Sequence, residues 1–172
     1  VEYAGRYAAA AQSADDPTHA MLADAMSAYL AASMQDVERA EELLARAEEH
    51  RVTAQARNPW AVSEYLVIRG DALRISGRPA QALDVLGQAY RLASELDHTW
   101  ARATASFISG RTLIDVGPPD EALGILRAGV IRFLEHEDAP MALSCAEVFA
   151  VALTELDRSA EAAEIFAAVD AL

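Results

Sequence analysis

The chain has 172 residues, 27 of them acidic and 14 basic, for a formal net charge of −13. Every basic residue is arginine and they are interspersed rather than gathered into a stripe, which argues against nucleic acid as a partner. Hydrophobic residues make up 53% of the chain, yet no apolar run reaches the roughly 18 residues that a membrane span needs. No export signal is visible and the single Cys145 cannot form an internal disulfide, so a soluble, cytoplasmic protein is expected.

Residues 1–14 read as an orphan helix with an apolar face around Tyr3 and Tyr7. It is most simply the second helix of a hairpin whose first helix is missing, so the chain is expected to be a piece excised from a longer protein. Four helical hairpins should follow at 17–56, 60–96, 99–136 and 140–171. Their first helices are placed near 17–33, 60–76, 99–116 and 140–156. The second helices are placed near 36–56, 79–96, 119–136 and 158–171. Helix starts are marked by an acceptor beside a proline, as in Asp16-Pro17, Asn58-Pro59 and Asp138 ahead of Pro140. The sum is an all-α chain of about nine helices, a single domain over 1–172.

The hairpins repeat at a spacing of about 40 residues, the mark of a solenoid. Gly70, Gly77, Ala82, Leu86 and Ala89 recur as Gly110, Gly117, Ala122, Leu126 and Gly129. Ala28, Gln35, Ala40, Leu44 and Ala47 precede them, and Ala150, Asp157, Ala162, Phe166 and Val169 follow. A small residue in the first helix lets the second approach, and a large apolar residue closes the gap. Glycine inside a helix costs about 1 kcal/mol against alanine, so Gly70 and Gly110 need close packing to offset them. Gly77 and Gly117 fall in the turn, where positive φ is available to glycine.

Motifs for catalysis and cofactors are missing from the sequence. There is no lysine for a phosphate loop, no zinc-protease histidine pair and no paired-cysteine spacing. Neither an enzyme nor a bound cofactor or metal is expected. Cys145, in an apolar helix, reads as a buried small hydrophobe. His50, His98 and His136 lie near the ends of second helices, where a positive charge complements the helix dipole. Trp60 and Trp100 share a repeat position and read as packing residues that bridge neighbouring hairpins.

The series of small, glycine, alanine, leucine or aromatic, and small residues resembles the tetratricopeptide repeat, over roughly residues 17 to 172. That resemblance implies a right-handed superhelical solenoid whose first helices line a concave groove. Carried over position by position, it implies a groove that includes Tyr29, Glu64, Asp71, Arg74, Phe107 and Arg111. Asp71 and Arg111 occupy equivalent places in adjacent repeats and should face one another. The lysine and asparagine set of chaperone-tail clamps is missing. Two arginines beside an aromatic surface suit an acidic peptide or an anionic small molecule.

Segments such as GDALRISGRPAQALDVLGQAYRLA and ALTELDRSAEAAEIFAAVDAL also look like the C-terminal repeat region of large actinobacterial transcriptional regulators of the LuxR or antibiotic-regulatory type. The expected function is a protein-interaction or ligand-sensing module, with a protein, a peptide or a small effector as partner. The alternative is a structural scaffold that oligomerises, for instance as a homodimer.

Overall fold

A computed structural model describes residues 16–170. The helix placed at 1–14 lies outside the described residues. Among those described there are eight helices and no strand, against about nine helices expected over the whole chain. They are α1 (Pro17–Ser33), α2 (Val37–Arg57), α3 (Pro59–Ile75), α4 (Pro79–Glu95), α5 (Thr99–Val116), α6 (Pro119–Glu135), α7 (Ala139–Glu155) and α8 (Ser159–Asp170). Contacts gather into two compact units, Val1–His98 and Thr99–Leu172.

Local chemistry starts and stops these helices where the sequence suggests. The side chains of Asp16, Asn58 and Asp138 accept from the backbone N–H groups of Thr18, Ala61 and Met141 at 2.9, 3.2 and 3.3 Å. Asp36 caps α2 in the same way, through Arg39 N at 3.1 Å. Each such cap contributes about 1 kcal/mol. At the other end a left-handed residue recurs: Gln35 (φ 64°), Gly77 (φ 74°), Asp97 (φ 53°), Glu137 (φ 57°) and Asp157 (φ 57°). The next amide then turns back to the last helical turn, as in Arg78 N to Leu73 O at 2.9 Å and His98 N to Ala93 O at 2.7 Å. Gly117 departs from the expectation, because it is absent from the left-handed set. Pro118 follows it directly and drives its backbone toward extended conformations, whereas Gly77 has Arg78 between it and Pro79.

In the first unit α1 packs on α2 and α3 on α4, while α1 also lies against α3 and α2 touches α3. Alanines make the close approach possible: Ala25, Ala28, Ala32, Ala40 and Ala47 are wholly buried. Larger groups, Met21, Val62, Tyr65 and Leu86, fill the space between. The repeat position of Gly70 is a true contact, since a Cβ placed there would lie 2.6 Å from Leu86 Cγ. Burying Leu86 fully contributes about 2 kcal/mol, which outweighs the helix penalty of the glycine.

Two polar ties cross this unit. Asp24, 5% exposed, accepts from Arg46 Nε at 3.2 Å, and the Arg46 Nη2 group closes the second arm of the fork. Glu48 accepts from Tyr65 Oη at 2.7 Å and from Arg69 Nη1 and Arg51 Nε at 2.6 Å each. These donors hold the Glu48 carboxyl below its usual range even though burial works the other way. Burial and the Glu48 carboxylate together push the Tyr65 phenol up.

The second unit repeats the plan. Helix α5 packs on α6, α6 on α7 and α7 on α8. Gly110 meets Leu126 as Gly70 meets Leu86, well inside the distance a Cβ would tolerate. Leu126 is wholly buried and Phe133 is 1% exposed. A Cβ on Gly129 would stand 3.1 Å from Cys145 Sγ, and that thiol donates to Leu126 O at 3.4 Å. Cys145 is buried as expected, and burial pushes its thiol up to about 12. Ala150, Leu153 and Ala162 form a small cluster with Leu123, Phe149 and Ile165 packed on it.

Candidate functional site

The six groove residues carried over from the repeat pattern fall in both units. Tyr29, Glu64, Asp71 and Arg74 belong to the first, Phe107 and Arg111 to the second. Asp71 and Arg74, one turn apart on α3, engage each other: Arg74 Nε donates to Asp71 Oδ1 at 2.8 Å with both side chains largely covered. Arg111 sits one turn beyond Phe107 on α5, with its guanidinium carbon 5.7 Å from the ring centroid. Phe107 itself is 9% exposed, so its ring backs the guanidinium more than it offers an open aromatic surface. Tyr29 is half-buried on α1, and Ser33 Oγ donates to its carbonyl at 2.8 Å.

Glu64 opens onto a cleft. A cavity of about 630 Å³ lies in the first unit, lined by Asp16, Thr18, His19, Leu22, Arg57, Asn58, Trp60, Ala61 and Glu64. Its walls are the opening turns of α1 and α3 and the closing turn of α2. The helix starts are at the cleft because α1 and α3 pack side by side and each is capped there, by Asp16 and Asn58. His19 Nδ1 and Asp16 Oδ2 lie 2.9 Å apart and pair at the rim. Asp16 is held below the usual carboxylate range, mainly by the Thr18 amide and then by His19.

Trp60 corrects the packing expectation in part. Its indole stacks on the His98 imidazole at 4.2 Å between centroids and 24° between planes, yet Trp60 remains 48% exposed and lines the cleft. Trp100 is likewise 42% exposed. An indole at this position is too large to be enclosed by alanine-lined helices, so one face packs and the rest meets solvent.

His98 was expected to carry a dipole-compensating charge, and its surroundings oppose that. The residue is 6% exposed, with Nδ1 2.7 Å from the wholly buried Ser63 Oγ and Nε2 3.7 Å from Glu64 Oε1. Burial draws the imidazole below its ordinary value, and the Glu64 carboxylate works against that shift. Ser63 Oγ also lies 2.7 Å from the Trp60 carbonyl. The serine, histidine and glutamate are thus in a row, but the hydroxyl is enclosed and holds the imidazole rather than meeting a substrate.

The contact between Ser63 and His98 is not legible in the sequence, because the two are 35 residues apart. A signal for His98 existed in the repeat itself. Asp16, Asn58 and Asp138 stand just ahead of α1, α3 and α7, and His98 takes the equivalent place ahead of α5.

A second cleft of about 380 Å³ lies among α2, α3 and α4, lined by Glu41, Glu48, Arg69, Arg78 and Gln81 with Leu44 and Leu73 at its floor. Its charges are satisfied by one another: Arg78 Nη1 donates to Glu41 Oε1 at 2.6 Å, and Arg69 to Glu48. Among the described residues no helix is long and apolar enough to cross a membrane. Comparison with family models, with curated proteins and with solved structures finds no match for this chain.

Proposed function

We propose that the chain is a protein-interaction or ligand-sensing module, a right-handed solenoid of tetratricopeptide-like hairpins that serves as the regulatory part of a cytoplasmic bacterial transcriptional regulator. The observation that carries this reading is the cleft between α1 and α3. There a half-exposed indole, an apolar wall of Leu22 and Ala61, and charged groups of both signs converge on capped helices. Binding sites combine an apolar lining with a few fixed polar groups in this manner. The recurrence of the glycine-to-leucine contact in both units supports the repeat reading of the fold. Arg111 over Phe107 offers a second place for an anionic group.

The test is an amide chemical-shift screen of short peptides and small metabolites against the isotopically labelled protein. Hits are expected to move a connected set of amides at the starts of α1 and α3. Hits scattered over the molecule, or none, would contradict the reading. A specific observation favours the alternative of an oligomerising scaffold. In the fourth hairpin Phe166 takes the place of Leu86 and Leu126, yet it is 39% exposed, and Ile131 and Leu134 are 48% and 59% exposed. Such a surface suits self-association.

A further inference from the structure

We infer that the cleft between α1 and α3 takes a zwitterionic small molecule of the amino-acid class, with its ammonium at Glu64, its carboxylate at Arg57 and an apolar side chain against Trp60 and Leu22. This deepens the module reading and rests on it. Some of the charges in the cleft are already satisfied. Asp16 and His19 answer each other at 2.9 Å, and Asp16 in addition caps the Thr18 amide. What remains is one carboxylate and one guanidinium. Glu64 has the largely enclosed His98 imidazole 3.7 Å away, while Arg57 makes no ion pair among the described residues.

A purely anionic ligand would be drawn to Arg57 but would meet the Glu64 carboxylate in the same cavity. A purely cationic one would be drawn to Glu64 and the indole but would meet Arg57. A molecule carrying one charge of each sign answers both. The guanidinium fork holds a carboxylate in two parallel hydrogen bonds, and the face of an indole adds attraction for an ammonium. The cavity, about 630 Å³, accommodates a molecule of this size with room for an apolar side chain. Leu22 and Ala61 line the same space and give that side chain an apolar wall.

The probes are leucine and its two singly charged counterparts, 3-methylbutylamine and 4-methylpentanoate. The readout is the indole N–H signal of Trp60 in the labelled protein, assigned by its loss in Trp60→Phe. Leucine is expected to shift that signal saturably, with each counterpart weaker by about tenfold or more, since each leaves one charged group of the site unanswered. Glu64→Gln and Arg57→Gln, both surface substitutions, should each weaken leucine to a similar degree while the far-ultraviolet circular dichroism stays unchanged. Equal affinity for leucine and 3-methylbutylamine would overturn the inference, as would an unmoved Trp60 signal with leucine in the millimolar range. If leucine fails while a peptide from the screen still moves the amides of α1 and α3, the zwitterion falls and the module reading stands.

Discussion

Just ahead of α5, His98 holds the place that Asp16, Asn58 and Asp138 hold ahead of α1, α3 and α7. The group standing there is an aromatic ring that stacks on Trp60 and is braced by Ser63, beside the Glu64 carboxylate. Because burial holds its folded-state value below the ordinary 6.5, the unfolded chain binds this proton more readily than the folded one. The resulting stability is present in full above the ordinary value and is lost as pH falls through the lower, folded one. The urea midpoint should therefore fall between about pH 7.5 and about pH 5.5, and His98→Gln should remove part of that fall. An identical fall in the variant would mean that the imidazole is not held neutral. Cys145, with its thiol pushed up to about 12 and no exposed surface, is by the same reasoning an inert group.

The helices show how much could be read in advance and where reading stopped. Their number after residue 16 and their ends were legible because caps and prolines are local signals, and the side chains of Asp16, Asn58 and Asp138 act where they were placed. Gly117 was misread because its neighbour mattered more than its identity: the adjoining Pro118 decides its backbone, and the glycine alone does not. The turn after the first helix of a hairpin gives a mirrored pair of predictions. Gln35 adopts φ 64° and Gly77 φ 74° at equivalent places, and nothing lies within 4 Å of where a Gly77 Cβ would be. Since an L-residue in that conformation costs about 1 kcal/mol, Gln35→Gly should raise the unfolding free energy by roughly that amount and Gly77→Ala should lower it. Urea titration of both variants checks the signs, and a shift of both in one direction would contradict the turn assignment.

At the scale of the whole molecule, the repeat was visible in sequence because close helix approach demands small residues at fixed places. The cleft was not, because it depends on which charges answer one another across helices. Of the six groove residues carried over from the repeat pattern, Glu64 lines it. Arg57, Asn58 and Trp60 come from the junction of α2 and α3, a stretch that repeat offsets describe as a cap and a packing residue. The central claim is that both units are built from one hairpin plan, in which a small residue of the first helix receives a leucine of the second. Leu126→Ala should cost about 2 to 5 kcal/mol by opening a cavity, and Gly110→Ala should cost about 1 to 3 kcal/mol by overpacking Leu126. Together they should cost less than their sum by about 1 kcal/mol or more, because the new methyl occupies the space the leucine leaves. The direct measurement is this double-mutant cycle by urea unfolding, run on Gly110 with Leu126 and in parallel on Gly70 with Leu86. Favourable coupling of the same sign in both cycles is the predicted result, and additivity within about 0.5 kcal/mol in either would contradict the shared plan.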